Sequence, residues 1–210
     1  MEPLRLHRVD RGSQPSPPNP GRETPDSAAS FRLAMRQLAS GVCLVTHGEG
    51  DDRTGLTATS VSSLSLAPPT LILCVNRSAS LYARLARGDF LGVSVLGAQH
   101  AEYADRFANR KGVQGAERFR EGRWMQTPAG ASVLADALAI FECEAEDVIE
   151  RHTHAIVVGR VSFAAPRLDE AALLYWRGVY ERIGWSAEEV SRAAGTASPH
   201  GRRPPLQIAP

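Results

Sequence analysis

Alternation of apolar and polar positions divides the middle of the chain into short segments that are typical of β-strands. These segments are rich in β-branched residues and lie at 42–47, 70–76, 90–97, 138–150 and 154–165. In the fourth, Phe141, Cys143 and Ala145 should face one side and the three glutamates between and after them the other, as in a half-solvated strand. The loop 48–55 should join the first segment to a hydroxyl-rich strand at 57–66 as a hairpin.

Helical periodicity is confined to a few segments. Residues 26–41 open with polar capping residues and place Phe31, Met35 and Leu38 on one face, which predicts an amphipathic helix. Further helices are predicted at 78–87, 99–109 and 169–178, and a capping box at Ser186–Glu189 predicts a last short one. Many strands with few helices favour an antiparallel sheet that closes into a small barrel. The predicted fold class is mainly β with flanking helices.

The two ends of the chain lack this patterning. Residues 1–25 contain six prolines and almost no periodic apolar positions, and residues 195–210 have a similar composition. Both ends are therefore predicted to be disordered tails around one folded domain at 26–194. A chain of 210 residues has room for one domain of ordinary size with such tails.

Composition and charge narrow the range of partners and of compartments. A formal net charge of +1 gives no electrostatic reason to expect binding to nucleic acid or to an anionic membrane. The 23 uncharged residues between Arg53 and Arg77 are long enough to cross a bilayer, but their hydroxyls and paired prolines argue against a spanning helix. The N-terminal segment lacks an apolar core of signal-peptide length. Three widely spaced cysteines suggest no disulfide framework, so a cytoplasmic location is expected.

Several common motifs of catalysis are missing from the sequence. There is no G-x-G-x-x-G after a strand, no Walker loop and no G-x-S-x-G elbow. A nicotinamide or a flavin would therefore not be held by a Rossmann unit. His152 and His154 would face the same side of one strand, but no other group has the spacing to complete a metal site with them, so no metal is predicted.

The segment from Thr57 to Ser65 carries hydroxyls on six of its nine residues and leads into an apolar strand. One interpretation is a strand with a solvated face. The other is a binding surface for a ligand with many acceptors, because small hydroxyls and backbone amides donate hydrogen bonds without filling the space that the ligand needs. Gly55 would let the backbone approach a flat ring closely.

A second polar segment follows the apolar strand at 70–76. Asn76, Arg77, Ser78 and Ser80 precede a predicted helix, and helix N-termini with such neighbours favour anions. The alternative is an ordinary N-cap beside a solvated arginine. Because only a short turn with two prolines separates the two polar segments, they could converge on one ligand.

Longer blocks of the sequence occur in a recognisable order. They include "GVCLVTHGEGDDRTGLTATSVSSLSLAPPTLILCVNRSAS", "GDFLGVSVLGAQHAEYADRFA", "ERF" at 117–119, "THAIVVGRV" and "LLYWRGVYERIG", within about residues 31–184. This series resembles the flavin reductase domain of two-component flavin-dependent monooxygenases, such as the reductases of 4-hydroxyphenylacetate and phenol hydroxylases. The resemblance implies a split β-barrel, a homodimer and FMN (or FAD) near the subunit interface. It also implies that NADH or NADPH delivers hydride to the flavin, which then serves a separate oxygenase.

The resemblance further implies roles for single positions. His154 would sit beside the nicotinamide and position it, rather than act as an essential base, and Gly159 completes the same motif. Tyr175, Arg177 and Tyr180 belong to a late aromatic and basic block near that pocket. The implied flavin positions are Thr57, Ala58, Thr59, Ser60, Ser63, Ser65, Cys74, Val75 and Asn76, with Ser80 at the phosphate and Phe107 and Ala108 closing over the ring.

Three other functions stay open on the sequence alone. The first is a flavin-binding sensor of the same fold without reductase activity. The second is an oxidase of the pyridoxamine-phosphate type, which would need a basic cluster beyond Arg77 and the region 177–182. The third is an interaction protein that binds a partner through its proline-rich ends.

Overall fold

The computed structural model describes residues 27–167, 170–185 and 189. The described residues form two α-helices, α1 (Ser27–Met35) and α2 (Ala101–Phe107). They also form short 3₁₀ helices at Gly50–Asp52, Tyr82–Arg84, Ala98–His100 and Gly115–Phe119. The strands are β1 (Ser40–Gly41), β2 (Cys43–His47), β3 (Thr54–Ala58), β4 (Ser62–Leu66), β5 (Pro69–Asn76), β6 (Phe90–Val95), β7 (Trp124–Gln126), β8 (Ser132–Leu134), β9 (Ala139–Arg151), β10 (His154–Pro166), β11 (Ala172–Trp176) and β12 (Val179–Ile183).

Two of the sequence-based predictions concern segments that the structure does not describe. The tails predicted at 1–25 and 195–210 lie outside the described residues, as does Ser186, which was predicted to cap the last short helix.

The chain forms two compact units that divide after Met35, with α1 in the first and all the strands named above in the second. Among the described helices, none has the length and apolar character needed to cross a bilayer.

Helix α1 is confirmed, although it is shorter than the sequence predicts. It ends at Met35, so Leu38 lies beyond the helix rather than on its apolar face. Phe31 and Met35 are both exposed.

The main sheet is antiparallel and curled, and its two edge strands are not paired with each other. Its strand order is β3-β2-β6-β9-β10-β5-β4, so β3 and β4 lie at opposite edges although they follow each other in the chain. Only residues 59–61 connect them, and such a linker spans at most about 14 Å. The two edges must therefore lie close together, which bends the sheet into a barrel that is open between β3 and β4. The mainly β prediction is confirmed.

Alternate residues of the strands supply two apolar cores. The first core is formed by one face of β2, β3, β5, β6, β9 and β10 and includes Cys43, Val45, Ala58, Leu71, Leu73, Val75, Leu91, Val93, Cys143, Ala145 and Val157. The second packs α2 against the outside of the barrel and includes Val42, Leu44, Leu96, Ala104, Phe107, Phe119, Val133 and Leu134. Strand β2 contributes to both cores because successive side chains of a strand face opposite sides, which explains its continuous apolar run.

The structure corrects two of the helices that the sequence predicts. The helix at 99–109 is confirmed as α2, but the segment 78–87 forms only the 3₁₀ turn at Tyr82–Arg84. The helix predicted at 169–178 is wrong, because β11 occupies it and pairs with β1 and β12. Arg177 and Gly178 both have positive φ, of 52° and 95°, and form the two-residue turn of the β11–β12 hairpin. The hairpin predicted around the loop 48–55 is confirmed by the pairing of β2 with β3.

Strand β9 departs from the half-solvated pattern at one position. Glu142 is 2% exposed, and its carboxylate accepts hydrogen bonds from the Ser162 hydroxyl and the Ala129 amide, each at 2.7 Å. Burial raises the pKa of Glu142, but hydrogen bonds to the carboxylate outweigh that effect and the net pKa is lowered. The prediction that this glutamate faces solvent is therefore wrong.

Candidate functional site

A cavity of about 900 Å³ lies beside β3, the linker after it and the end of β5. This volume lies within the range of small-molecule sites. Its wall consists of Gly55, Leu56, Thr57, Ala58, Thr59, Ser60, Cys74, Asn76, Ser78, Ala79, Ser80, Arg84, Phe107, Ala108, Asn109, Gln114, Gly115, Arg118 and His154. The hydroxyl-rich segment and the polar end of β5 thus converge on one cavity, as their closeness in sequence predicts.

Ten of the residues predicted to bind the flavin or nicotinamide lie in this wall. They are Thr57, Ala58, Thr59, Ser60, Cys74, Asn76, Ser80, Phe107, Ala108 and His154. The structure brings them together from β3, the linker to β4, β5, α2 and β10.

Two of the hydroxyls in the wall also hold the split barrel together. The Ser60 hydroxyl donates to the Cys74 carbonyl at 3.1 Å and accepts from the Cys74 amide at 3.2 Å, which ties the β3–β4 linker to β5. The Thr57 hydroxyl donates to the Ala104 carbonyl of α2 at 2.6 Å. These two hydroxyls therefore hold parts of the wall together, since both already donate to backbone carbonyls.

His154 and Asn76 meet across two neighbouring strands at one end of the cavity. They are paired residues in the antiparallel ladder of β10 and β5. The Nδ1 atom of His154 lies 2.9 Å from the Thr153 hydroxyl, which orients the imidazole ring. The Oδ1 atom of Asn76 accepts from both the amide and the hydroxyl of Ser78, each at 2.9 Å, and so fixes the turn after β5.

The premise that two histidines share one face of a strand is wrong. β10 begins at His154, while His152 lies in the preceding turn with a φ of 51°. Within the part of the chain that the structure describes, no group of three or more His, Cys, Asp or Glu side chains is arranged to hold a metal ion.

The cavity wall is cationic around the start of β3, where Arg118 and Arg84 lie, and this part is called the cationic end. Arg118 is only 7% exposed; its Nε atom donates to the Val113 carbonyl at 2.9 Å and its Nη1 atom donates to the Gly55 carbonyl. Burial lowers the pKa of Arg118, but an arginine stays charged at neutral pH. Among residues 27–167, 170–185 and 189, no carboxylate forms a salt bridge with it. A buried cation that faces a cavity without a counter-ion favours an anionic ligand.

Arg84 and Ser80 lie at the same end as Arg118. Arg84 is in the cavity wall, and the Ser80 hydroxyl lies 2.7 Å from the hydroxyl of Thr54 at the start of β3. Because Gly55 follows Thr54 and accepts from Arg118, these groups surround the first residues of β3. The sequence did not single out Arg84 or Arg118, although Arg118 belongs to the short block at 117–119.

Arg77, which the sequence suggests as an anion-binding residue, faces away from this cavity. It forms a salt bridge of 2.8 Å with Glu150 and donates to the His152 carbonyl at 3.2 Å. Its guanidinium also lies over the Tyr82 ring, 5.9 Å from the centroid. Arg77 thus binds the β9–β10 turn to the end of β5, and its role in this structure is to position that turn.

Helix α2 and the loop after it form the remaining wall. Phe107 packs edge-on against Phe119 with ring centroids 5.1 Å apart. A Cβ atom at Gly55 would lie 2.8 Å from the Phe107 ring, so only glycine permits this close approach of β3. Asn109 and Gly115, with φ of 61° and 55°, turn the loop along the cavity.

The wall residues that sequence reasoning missed carry weak local signals. They are Leu56, Ala79, Arg84, Asn109, Gln114, Gly115 and Arg118, whereas Gly55 was noted for its backbone and Ser78 as part of the polar segment after β5. Asn109 and Gly115 lie in a loop whose path depends on contacts distant in sequence.

Three of the predicted flavin residues, Gly159 of the His154 motif and the three late aromatic and basic residues do not line the cavity. Val75 is fully buried in the first core, on the opposite face of β5 from Cys74. Ser63 and Ser65 lie on β4, where the Ser65 hydroxyl accepts from the Ala67 amide at 3.1 Å. Gly159 lies in β10, and a Cβ there would come within 3.0 Å of Cys143. The structure does not bring these four into the cavity wall, so their contact with flavin stays a prediction.

The late aromatic and basic residues form a cluster on β11 and β12. Tyr175 and Tyr180 contact each other with ring centroids 5.5 Å apart and ring planes at 59°, and Arg110 lies 5.5 Å from the Tyr180 centroid. Burial, with the nearby Asp105, raises the pKa of Tyr180 to about 12, so it is a neutral phenol. Arg177 covers the neighbouring Trp176 ring at 4.3 Å. Both tyrosines pack against the second core, which includes the wall residue Phe107; a place for the cluster beside a nicotinamide stays a prediction.

Comparison with known proteins identifies the family. The family model described as "Flavin reductase like domain" matches residues 35–184. The chain is 39% identical over 179 residues to the FMN reductase (NADH) RutF of Methylorubrum extorquens, which covers 81% of this chain and 85% of that protein.

Solved structures give the same result. The NADH:FAD oxidoreductase SgcE6 of Streptomyces globisporus, in complex with NAD and FAD fragments, matches with a TM-score of 0.68 and 30% identity over 76% of this chain and 94% of its own. BorF, the flavin reductase component of a bacterial two-component tryptophan halogenase, matches with a TM-score of 0.68 and 32% identity over 75% and 98%. The resemblance seen in the sequence is confirmed: the chain belongs to the flavin reductase like domain family.

Proposed function

We propose that this chain is an NADH-dependent flavin reductase that reduces FMN or FAD in the cavity beside β3 and the end of β5. The observation that carries this proposal is one cavity whose wall combines small polar groups and His154 with two guanidinium groups, those of Arg84 and Arg118. The activities of the relatives, an FMN reductase (NADH) and an NADH:FAD oxidoreductase, support it.

The flavin phosphate belongs at the cationic end. Arg118 and Arg84 supply charge there, and Ser80 supplies a hydroxyl. Guanidinium groups bind phosphate oxygens through paired N–H donors, and such charge-assisted hydrogen bonds are stronger than neutral ones. The buried position of Arg118, with only carbonyl partners in the described part of the chain, fits a bound phosphate.

The flavin ring belongs along the hydroxyl-rich wall. Thr57 to Ser60 and Cys74 are small, so they leave room for a flat tricycle while they offer backbone amides and hydroxyls to its polar rim. The close packing of Gly55 against Phe107 keeps this wall flat.

His154 and Asn76 stand where a nicotinamide would meet the exposed side of the ring. The bound flavin supplies the hydride acceptor, so the chain needs neither a nucleophile nor a metal. The task of the protein is to orient two rings against each other and to exclude other reactants. His154, held through its Nδ1 atom by Thr153, presents its other ring edge for this orienting role.

Steady-state consumption of NADH tests the proposal. The full chain is mixed with NADH or NADPH and with FMN, FAD or riboflavin in turn, and the loss of dihydronicotinamide absorbance is followed. We expect turnover with NADH and a phosphate-bearing flavin. A sensor would bind flavin without turnover, an oxidase of the pyridoxamine-phosphate type would instead oxidise that amine, and either result would refute the proposal.

The oligomeric state, the partner protein and the cellular compartment are also proposals. We infer a homodimer that delivers reduced flavin to a separate oxygenase, in a cytoplasm that keeps the exposed Cys74 thiol free. The edge strand β4 pairs with β5 alone among the described strands and exposes Leu64 and Leu66, of which Leu66 is 87% exposed. Unprotected apolar edges of this kind are usually covered. Light scattering of the purified chain measures the oligomeric state, and a monomer at working concentration would contradict the dimer.

A further inference from the structure

Arg84 is shared between the cavity and an acidic turn. Its side chain lines the cationic end of the cavity, while its Nη1 atom donates to the Asp52 carbonyl at 2.5 Å and lies 3.5 Å from the Asp52 carboxylate. The Arg84 side chain is 48% exposed and that of Asp52 is 92% exposed. A carboxylate therefore stands beside the group that we assign to the flavin phosphate.

The acidic turn is fixed in this place by its neighbours. Asp52 ends the 3₁₀ helix Gly50–Asp52. The next residue, Arg53, donates from Nε to the Gly50 carbonyl at 2.8 Å, and its guanidinium lies 4.8 Å from the Phe119 ring centroid. Thr54 then bonds to Ser80 at 2.7 Å. Residues on the C-terminal side of Asp52 are thus tied to Phe119 and Ser80, which fixes the turn beside Arg84.

We propose that Asp52 competes with the flavin phosphate for Arg84 and thereby weakens the binding of phosphate-bearing flavins. This inference rests on the proposed function. A carboxylate that shares a guanidinium with a phosphate repels that phosphate. The N–H groups of Arg84 that donate to Asp52 are also not free to donate to the phosphate. Because the pair is exposed, the effect is modest and depends on salt.

The competition has a use in a protein that must give up its product. A reductase that passes flavin to another protein needs a cavity that binds the phosphate firmly enough to load and weakly enough to release. Arg118 is buried and supplies constant attraction, whereas Arg84 is held in part by Asp52. Removing the Asp52 charge should therefore slow flavin release more than it changes flavin capture, because most affinity differences between related complexes lie in the dissociation rate.

The matched variants are Asp52→Asn and Asp51→Asn. Each removes one negative charge from the same 3₁₀ turn, but Asp52 is the residue that contacts Arg84. We expect Asp52→Asn to lower the Kd for FMN by about twofold to fivefold, the range that exposed ion pairs span, and to leave the Kd for riboflavin unchanged. The effect should shrink as salt is added. Thermal unfolding of both variants should match that of the unaltered chain.

Each other outcome overturns the inference in a recognisable way. An equal tightening by Asp51→Asn would show that only the net charge of the turn matters. No change, or an equal change for FMN and riboflavin, would show that Asp52 does not act on the phosphate. If the unaltered chain binds neither flavin, the proposed function itself fails and the inference fails with it, which FMN titration of that chain reveals before any variant is made.

Discussion

Replacement of Arg118 is the sharpest test of where the flavin phosphate binds. Arg118 lies on the 3₁₀ helix after α2, is almost fully buried, and donates to the carbonyls of Gly55 and Val113. The change Arg118→Gln removes the charge and the fork of donors but keeps a polar side chain of moderate length. We expect a large loss of affinity for FMN.

The size of this loss follows from the burial of the guanidinium. A hydrogen bond to a charged group contributes about 1.5–3 kcal/mol, and Arg118 is too buried for solvent to screen it strongly. Loss of one such bond to phosphate raises the Kd for FMN by about 10-fold to 150-fold. The same change leaves the Gly55 and Val113 carbonyls without this donor, which costs about 1–3 kcal/mol of folding free energy for each buried acceptor.

Binding of FMN and of riboflavin separates the two effects. Both flavins are titrated by quenching of flavin fluorescence, and urea unfolding is followed in parallel. We expect Arg118→Gln to weaken FMN far more than riboflavin, because riboflavin lacks the phosphate. Arg120→Gln is the control, since Arg120 pairs with Glu117 at 2.6 Å on the surface of the same short helix. Equal losses for both flavins would mean that Arg118 only supports the wall, and an unchanged Kd for FMN would refute the assignment outright.

Three further predictions test the rest of the site and the fold. His154→Ala should raise the KM for NADH by about threefold to tenfold through loss of one orienting contact, while the Kd for FMN stays unchanged; loss of flavin binding alone would contradict that role. Cys74 is exposed in the cavity wall, whereas Cys143 is buried and its pKa is raised to about 12, so Cys74 is the more reactive of these two thiols. Bound FMN should slow the alkylation of Cys74 by a maleimide, and equal rates with and without FMN would place the flavin elsewhere. Glu142→Gln should lower the free energy of unfolding at neutral pH by about 1–3 kcal/mol and much less in acid. The folded pKa of Glu142 is lowered, so the stabilisation from its carboxylate is complete above the unfolded pKa of about 4.3. This stabilisation vanishes as the pH falls through the folded pKa. Parallel curves of stability against pH for the two proteins would contradict this.

The strands of the barrel could be predicted because their signals are local. β2, β5, β6, β9 and β10 all coincide with apolar, β-branched segments of the sequence. The segment 172–176 was misread as a helix because its apolar residues are nearly continuous, which periodicity cannot assign to either structure. The turn Arg177-Gly178, with positive φ at both residues, was the available signal for a hairpin.

The ring end of the site could be predicted better than the phosphate end. Hydroxyls concentrated at 57–65 form a compositional signal within one segment. Arg84 and Arg118 are single arginines in segments without such a signal, and only the folding of α2 and its loop over β3 brings Arg118 to Gly55. Arg77, the arginine nearest to the polar segment in sequence, is instead taken by Glu150. Arg77 does not line the cavity although it is close in sequence to the polar segment, because a strand end can send successive side chains in opposite directions.

The split in the barrel explains why the polar residues can serve as a site. A closed barrel would satisfy the edge groups of β3 and β4 by pairing them with each other. Here the linker between these strands is tied to β5 through Ser60 and Cys74 instead, and among the described strands β3 pairs with β2 alone. Backbone donors on the free edge of β3 thus remain for a ligand in the cavity, beside a buried guanidinium that favours an anion. An anionic, flat, acceptor-rich molecule meets both requirements at once, and a flavin phosphate has each of these properties.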